Sequence, residues 1–208
     1  MQQQIWLIHG GEAFDTYEDY LENLKSTEVT LDFLLSRGWK STIQSSIGEG
    51  YRVIAPRMPS GGNAKYVEWK IWFEKLIPFM TTETVLVGHS LGGIFLAKYL
   101  SEEMMPVKVR ATFLIAAPFD TEGMEESLGD FSLPEDMSRL PQQGGEVVLY
   151  QSKDDPVVPF AQVEKYRAKL PSAKARIFTD KQHFNQETFP ELAEDILFLR
   201  LSKKQGLF

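Results

Sequence analysis

Short apolar runs recur along the chain at residues 5–8, 51–55, 84–87, 111–116, 146–150 and 175–178. They are rich in β-branched and aromatic residues and do not alternate with polar positions, the pattern of strands buried on both faces. Between them the period lengthens. The clearest helical stripe is 66–80, where Tyr66, Trp69, Trp72, Phe73, Leu76 and Ile77 share a face and Pro78 ends or kinks the helix. Further helical patterns are 93–103 with Phe95, Leu96, Tyr99 and Leu100, then 160–170, then 190–202 with Leu192, Ile196, Leu199 and Leu201. Strand and helix alternate throughout, so the expected architecture is an α/β domain with about six mostly parallel strands and helices on both faces.

Two segments break the alternation. Residues 14–50 are too long for one average helix, and their apolar clusters (Tyr17, Tyr20, Leu21, Leu24; Leu31, Phe33, Leu34, Leu35; Trp39, Ile43) predict two or three helical pieces broken near Ser26-Thr27 and at Gly38. Residues 119–145 carry seven carboxylates between Asp120 and Asp136 against one basic residue, Arg139. Such a charge run reads as a solvated loop, with a small lid over a site as the sharper alternative.

The chain of 208 residues, 43% apolar and 25% charged, suits one domain over 1–208 with a full core. Its formal charge of −7 comes without a basic stripe, which argues against nucleic acid or an anionic membrane as partner. The absence of cysteine excludes thiolate catalysis and cysteine-ligated zinc, and the scattered histidines lack metal-ligand spacing, so neither a metal nor another cofactor is expected. The opening MQQQIWLIHGG has no basic region before its four apolar residues and reads as a strand, not a signal peptide. No run approaches a membrane span, and the expected location is cytoplasmic.

Candidate chemistry lies at Gly88-His89-Ser90-Leu91-Gly92, directly after the run 84–87 and before a helical pattern. A strand, a sharp turn presenting serine and a helix make a nucleophile elbow, in which the two glycines relieve crowding around a strained serine. A serine hydroxyl needs a base and a carboxylate to orient it. Of the three histidines, His89 leaves the elbow in another direction and His9 ends the first strand, so His183, in the loop before the last helix, is the base. The acid is Asp155, aimed by Pro156 and anchored by Val157 and Val158, with Asp154 as its competitor. The order serine, acid, histidine is that of α/β-hydrolases. An oxyanion would be held by the backbone N–H of Leu91 and by that of Gly11 or Glu12 in the His9-Gly10-Gly11-Glu12 loop. Substrate contacts are assigned to His9, Glu12, Phe14, His89 and Phe119.

Over nearly its full length the chain resembles the α/β-hydrolase superfamily, and more narrowly the small serine hydrolases of the retinoblastoma-binding-protein and YdeN type. The narrower resemblance rests on Pro56-Arg57-Met58-Pro59, Tyr66-Val67-Glu68-Trp69, Gly88-His89-Ser90-Leu91-Gly92-Gly93, Asp154-Asp155-Pro156-Val157-Val158-Pro159 and His183-Phe184-Asn185. It implies a compact fold without a large cap domain, the triad Ser90, Asp155 and His183, and an ill-defined natural substrate. The chain departs from that pattern at 14–50, which is longer and includes Trp39-Lys40-Ser41-Thr42. The expected function is hydrolysis of an ester-like bond, carboxylic ester or thioester, in a small acyl substrate through an acyl-enzyme on Ser90. Amidase chemistry would use the same residues. The alternative from another class is an inert hydrolase scaffold that binds a protein partner.

Overall fold

The computed structural model describes residues 2–36 and 38–204; the side chains of Phe33 and Leu201, named above, lie outside the described set. Among the described residues six strands form one parallel sheet: β1 (Gln3–Ile8), β2 (Tyr51–Ile54), β3 (Val85–His89), β4 (Ala111–Ile115), β5 (Glu146–Ser152) and β6 (Lys174–Phe178). Their order across the sheet is β2-β1-β3-β4-β5-β6. The chain therefore reverses its direction of travel between β1 and β3, and the crevice at the carboxyl ends of such neighbours is where open α/β sheets bind ligands.

The helices are α1 (Tyr17–Ser26), α2 (Leu31–Leu35), α3 (Ile43–Ile47), α4 (Tyr66–Leu76), α5 (Leu91–Glu102), α6 (Arg139–Gln143), α7 (Ala161–Lys169) and α8 (Pro190–Lys204). Alternate side chains of each central strand feed two separate cores. Trp6, Ile8, Leu86, Leu114, Val147 and Leu149 pack with α4, α5 and α7. Ile5, Leu7, Val85, Val87, Phe113, Ile115, Val148 and Tyr150 pack with Trp39, α3 and α8. Burial on both faces is why these strands read as continuous apolar runs.

The structure refines several boundaries. Helix α4 stops at Leu76 and continues as a 3-10 turn, Ile77–Phe79, as Pro78 requires. Trp72, expected on the buried stripe, is 41% exposed, because the core contact is the narrower row Tyr66, Trp69, Phe73 and Ile77. The 14–50 segment forms four short pieces, α1, α2, a 3-10 turn (Trp39–Ser41) and α3. Helix α1 opens with a capping box, in which Thr16 accepts from the Asp19 N–H and Asp19 from the Thr16 N–H, yet it buries no residue. Residues 119–145 are anchored by buried Leu128, Phe131, Met137 and Leu140 despite their charge, and contain a 3-10 turn, Gly129–Phe131, and α6. No helix of the described residues is long and apolar enough to cross a membrane.

Ser90 occupies φ 54, ψ −123 between β3 and α5. A Cβ on Gly88 would strike the Gly92 backbone, and one on Gly92 would strike the carbonyls of Ile8 and His9 at the end of β1. Gly92→Ala is therefore expected to destabilise the fold by about 3 kcal/mol, since backbone on both sides must move. Urea unfolding followed by circular dichroism measures it; a loss under 1 kcal/mol would mean that β1 and the elbow yield easily.

Candidate active site

The ends of β1, β3, β5 and β6 bring the predicted site residues to one edge of the sheet. After β3, Ser90 donates its N–H to the Ile115 carbonyl at 2.8 Å, which fixes the elbow on β4. A Cβ built on Gly10 would lie 3.1 Å from the Ser90 Cβ, so the loop after β1 runs directly beside the serine. Gly11 must be glycine for a different approach, to the loop after β2: its Cβ would stand 2.5 Å from the Gly61 carbonyl oxygen. Among the described residues the Ser90 hydroxyl has no hydrogen bond, and neither do the N–H groups of Leu91 and Gly11. Leu91 is the first residue of α5, where the N–H has no partner within the helix. The Glu12 N–H, by contrast, is bonded to the Gly61 carbonyl at 2.9 Å. Of the two loop donors left open by the sequence, only Gly11 is free.

After β5, the two adjacent aspartates have different tasks. Asp154 accepts from the Ser152 hydroxyl and, at 3.0 Å, from the Gln182 N–H. These bonds hold its carboxyl below the ordinary aspartate range, that from Ser152 contributing most. Asp155, with a fully buried side chain, meets His183 Nδ1 at 3.1 and 3.0 Å. Its Oδ1 also accepts the N–H groups of Val157 (2.9 Å) and Val158 (3.0 Å), so the turn that Pro156 closes aims the carboxylate. The side chain of Gln151, itself buried, donates to Asp155 Oδ2 at 3.3 Å and to the Val158 carbonyl at 2.8 Å. A carboxylate on Nδ1 assigns the proton to that nitrogen and leaves Nε2 of His183 as the acceptor.

His183 is joined to the elbow through His89. The His89 Nε2–H donates to the His183 carbonyl at 2.8 Å, and the two rings lie 5.0 Å apart. His89 is 3% exposed, and its Nδ1 has no partner among the described residues. Burial, with smaller effects from Lys40 and His183, pushes its pKa well below the usual histidine value, so it is a neutral donor behind the site. It meets the His183 carbonyl and the Trp39 ring and is closed off from solvent. His9 is likewise engaged: Nε2 accepts the Met58 N–H at 2.9 Å, Nδ1 contacts the Gly10 carbonyl, and its ring stands edge-on to Trp69.

A cavity of about 670 Å³ opens between the segment after β1 and residues 125–127, lined by Glu12, Phe14, Asp15, Glu18, Glu125 and Glu126 among others; neither Ser90 nor His183 lines it. Glu126 is close enough to His183, Glu12 and Asp155 to feel their charges, and burial raises its pKa above the usual glutamate value. Phe119, half-buried, packs edge-on against Tyr166 at 5.0 Å, and Gln162 accepts its N–H at 2.8 Å. It does not line this cavity. No group of three or more His, Asp or Glu among the described residues is placed to hold a metal ion.

The sequence profile of the serine hydrolases matches residues 36–193, three quarters of the chain. The chain belongs to the serine hydrolase family. It is 28% identical over 167 residues to the serine hydrolase RBBP9 of Rattus norvegicus, spanning 76% of this chain and 83% of that protein. Its fold is that of the ydeN gene product from B. subtilis, with a TM-score of 0.76, 16% identity and coverage of 96% of this chain and 100% of the other. A thioesterase domain from the curacin biosynthetic pathway shares the fold more distantly, with a TM-score of 0.60 at 13% identity over 94% of this chain and 91% of that domain. Family membership assigns hydrolytic chemistry to this serine hydrolase.

Two residues that its sequence did not single out as site residues stand next to the histidines. Trp39, 0% exposed, stands edge-on to His89 and donates its indole N–H to the Phe184 carbonyl at 2.8 Å. Lys40 lies beside it with its pKa lowered by burial from 10.5 to about 8. A lysine whose folded pKa lies below its unfolded one costs stability below pH 8, and the cost disappears as pH rises to about 10.5. Lys40→Met is expected to raise stability at pH 7 and to flatten the gain in wild-type stability between pH 8 and 10.5. Thermal melts of both proteins across that range test it; an unchanged difference at all pH values would refute the assignment.

Proposed function

We propose that this serine hydrolase cleaves an ester-like bond, a carboxylic ester or a thioester, of a small acyl substrate through an acyl-enzyme on Ser90. The observation that carries the reading is the pairing of His183 Nδ1 with the buried Asp155 carboxylate on a loop bonded to the elbow residue His89. His183 Nε2 takes the Ser90 proton as the oxygen attacks the carbonyl, and the backbone N–H groups of Leu91 and Gly11 receive the developing oxyanion. Asp155 holds the ring in the productive tautomer and stabilises it when it gains the proton. The proton then passes to the leaving group, and a water activated by the same histidine releases the acid. The serine–histidine hydrogen bond forms with substrate in place, as catalytic hydrogen bonds are often long without it.

Ser90→Ala is expected to remove at least about a thousandfold in turnover of a small activated ester while leaving the fold intact. Retained turnover, or failure of wild-type Ser90 to react with a fluorophosphonate, would overturn the nucleophile.

The acidic cavity, whose Glu126 feels the charges of His183 and Asp155, supports neutral or cationic substrates over polyanionic ones. Replacing Glu125 and Glu126 together by Gln is expected to raise kcat/KM for an anionic ester several-fold relative to a neutral ester of the same acyl group, and high salt should shrink the gain. An equal effect on both esters would show that the cavity charge does not act on substrate.

A further inference from the structure

We propose that Trp39 is a positioning residue for His183, bracing the histidine loop at the carbonyl that follows the base. The proposal rests on the assignment of His183 as the base.

The loop that carries His183 is held in an unfavourable shape. Its two flanking residues, Gln182 (φ 47) and Phe184 (φ 53), are both in the left-handed region although neither is glycine. Such conformations persist only where the surroundings over-determine them. Before the histidine the ties come from the acid turn: the Lys181 N–H reaches the Ser152 hydroxyl at 3.1 Å and the Gln182 N–H reaches Asp154 at 3.0 Å. At the backbone carbonyls of the histidine and of the residue after it they come from elsewhere. Consecutive carbonyls, those of His183 and Phe184, each accept a buried ring N–H at 2.8 Å, the first from His89 and the second from Trp39.

Trp39 and its neighbours then continue down the loop. The Trp39 N–H donates to the Gln186 carbonyl at 2.8 Å, and the Thr42 hydroxyl to that of Glu187 at 2.8 Å. The segment is itself fixed, because Ile43 and Ile47 are buried with Leu192, Ala193 and Ile196 of α8 in the core on that side of the sheet. The Trp39 ring packs edge-on against both His89 and Phe189. Trp39 thus sets the backbone immediately after the base and, through His89, the backbone at the base. A displacement of about 1 Å there is enough to cost catalysis heavily, since a general base must meet the nucleophile within hydrogen-bond reach.

Trp39→Phe keeps an aromatic ring in the core and removes the N–H; Thr42→Val removes a bond from the same segment to a carbonyl farther from His183. With a small activated ester, Trp39→Phe is expected to lower kcat roughly 10- to 100-fold with KM within about twofold, and Thr42→Val to change kcat by less than about twofold. A proton NMR readout needs no turnover: the wild-type resonance of the His183 Nδ1 proton shared with Asp155 is expected far downfield and slowly exchanging, and in Trp39→Phe shifted or broadened. Should Trp39→Phe fail to fold, benzothienylalanine at position 39, which puts sulfur where the indole N–H stands, is measured instead.

Unchanged kcat and an unchanged resonance in the Trp39 variant would overturn the proposal, as would equal kcat losses in the Trp39 and Thr42 variants. An altered resonance in an enzyme whose wild type does not turn over ester would uphold the brace and overturn the esterase reading.

Discussion

The structure depends on one close approach, where the backbone of β1 passes the turn after β3. Gly92 lies so near the carbonyls of Ile8 and His9 that no side chain fits between them. That contact can exist because β1 and β3 are parallel neighbours, with Ile8 opposite Gly88, and because the next chain segments leave their carboxyl ends together. It puts Gly10 beside Ser90, starts α5 at Leu91, and turns the His89 side chain into the opposite layer from α5. The site is thus assembled by backbone packing first, and its side chains inherit their places from it.

Much of this could be read in the sequence because double-sided burial leaves a strong mark. All six strands stand where continuous apolar runs were found, and their order of appearance with the helices gives the parallel sheet. The ends were less legible. Strand β3 runs on through Gly88 and His89 because their backbones pair with Leu114 and Ile115, and pairing does not require an apolar side chain. Strand β5 likewise continues through Gln151 and Ser152, whose polar side chains are buried and bond Asp155 and Asp154. Trp72 misled for a geometric reason: at helical spacing it falls about 80° from the centre of the row set by Trp69 and Phe73.

Periodicity reports that residues share a face, not what covers that face. The apolar positions of α1 and α2 are regularly spaced, yet Tyr17, Leu24, Leu31, Leu34 and Leu35 are all exposed. The reverse holds at 119–145, where the density of carboxylates hides the four apolar residues that fasten the segment to the core on the α5 side. The aspartate pair shows the same limit at the scale of a site. Asp154 and Asp155 were distinguishable only by degree in sequence, whereas the fold gives one to the Gln182 N–H and the other to the His183 ring.

What sequence could not show is the support behind the histidine. The bonds from His89 to residue 183 and from Trp39 to residue 184 span separations of 94 and 145 positions, and a ring donating to a backbone carbonyl leaves no motif. Their chemistry is nonetheless constrained. A proton on His89 Nδ1 would place a positive charge 5.0 Å from the ring that, in the proposed reaction, must accept one. Burial keeps His89 neutral, so it can donate to the loop without opposing the imidazolium. The cost is a buried nitrogen unpaired among the described residues, and that cost is tolerable where the alternative is a loose His183 on a strained loop. The neutral histidine in the elbow is therefore best understood as part of the scaffold that allows Asp155 to be the charge that the His183 ring meets at hydrogen-bond distance.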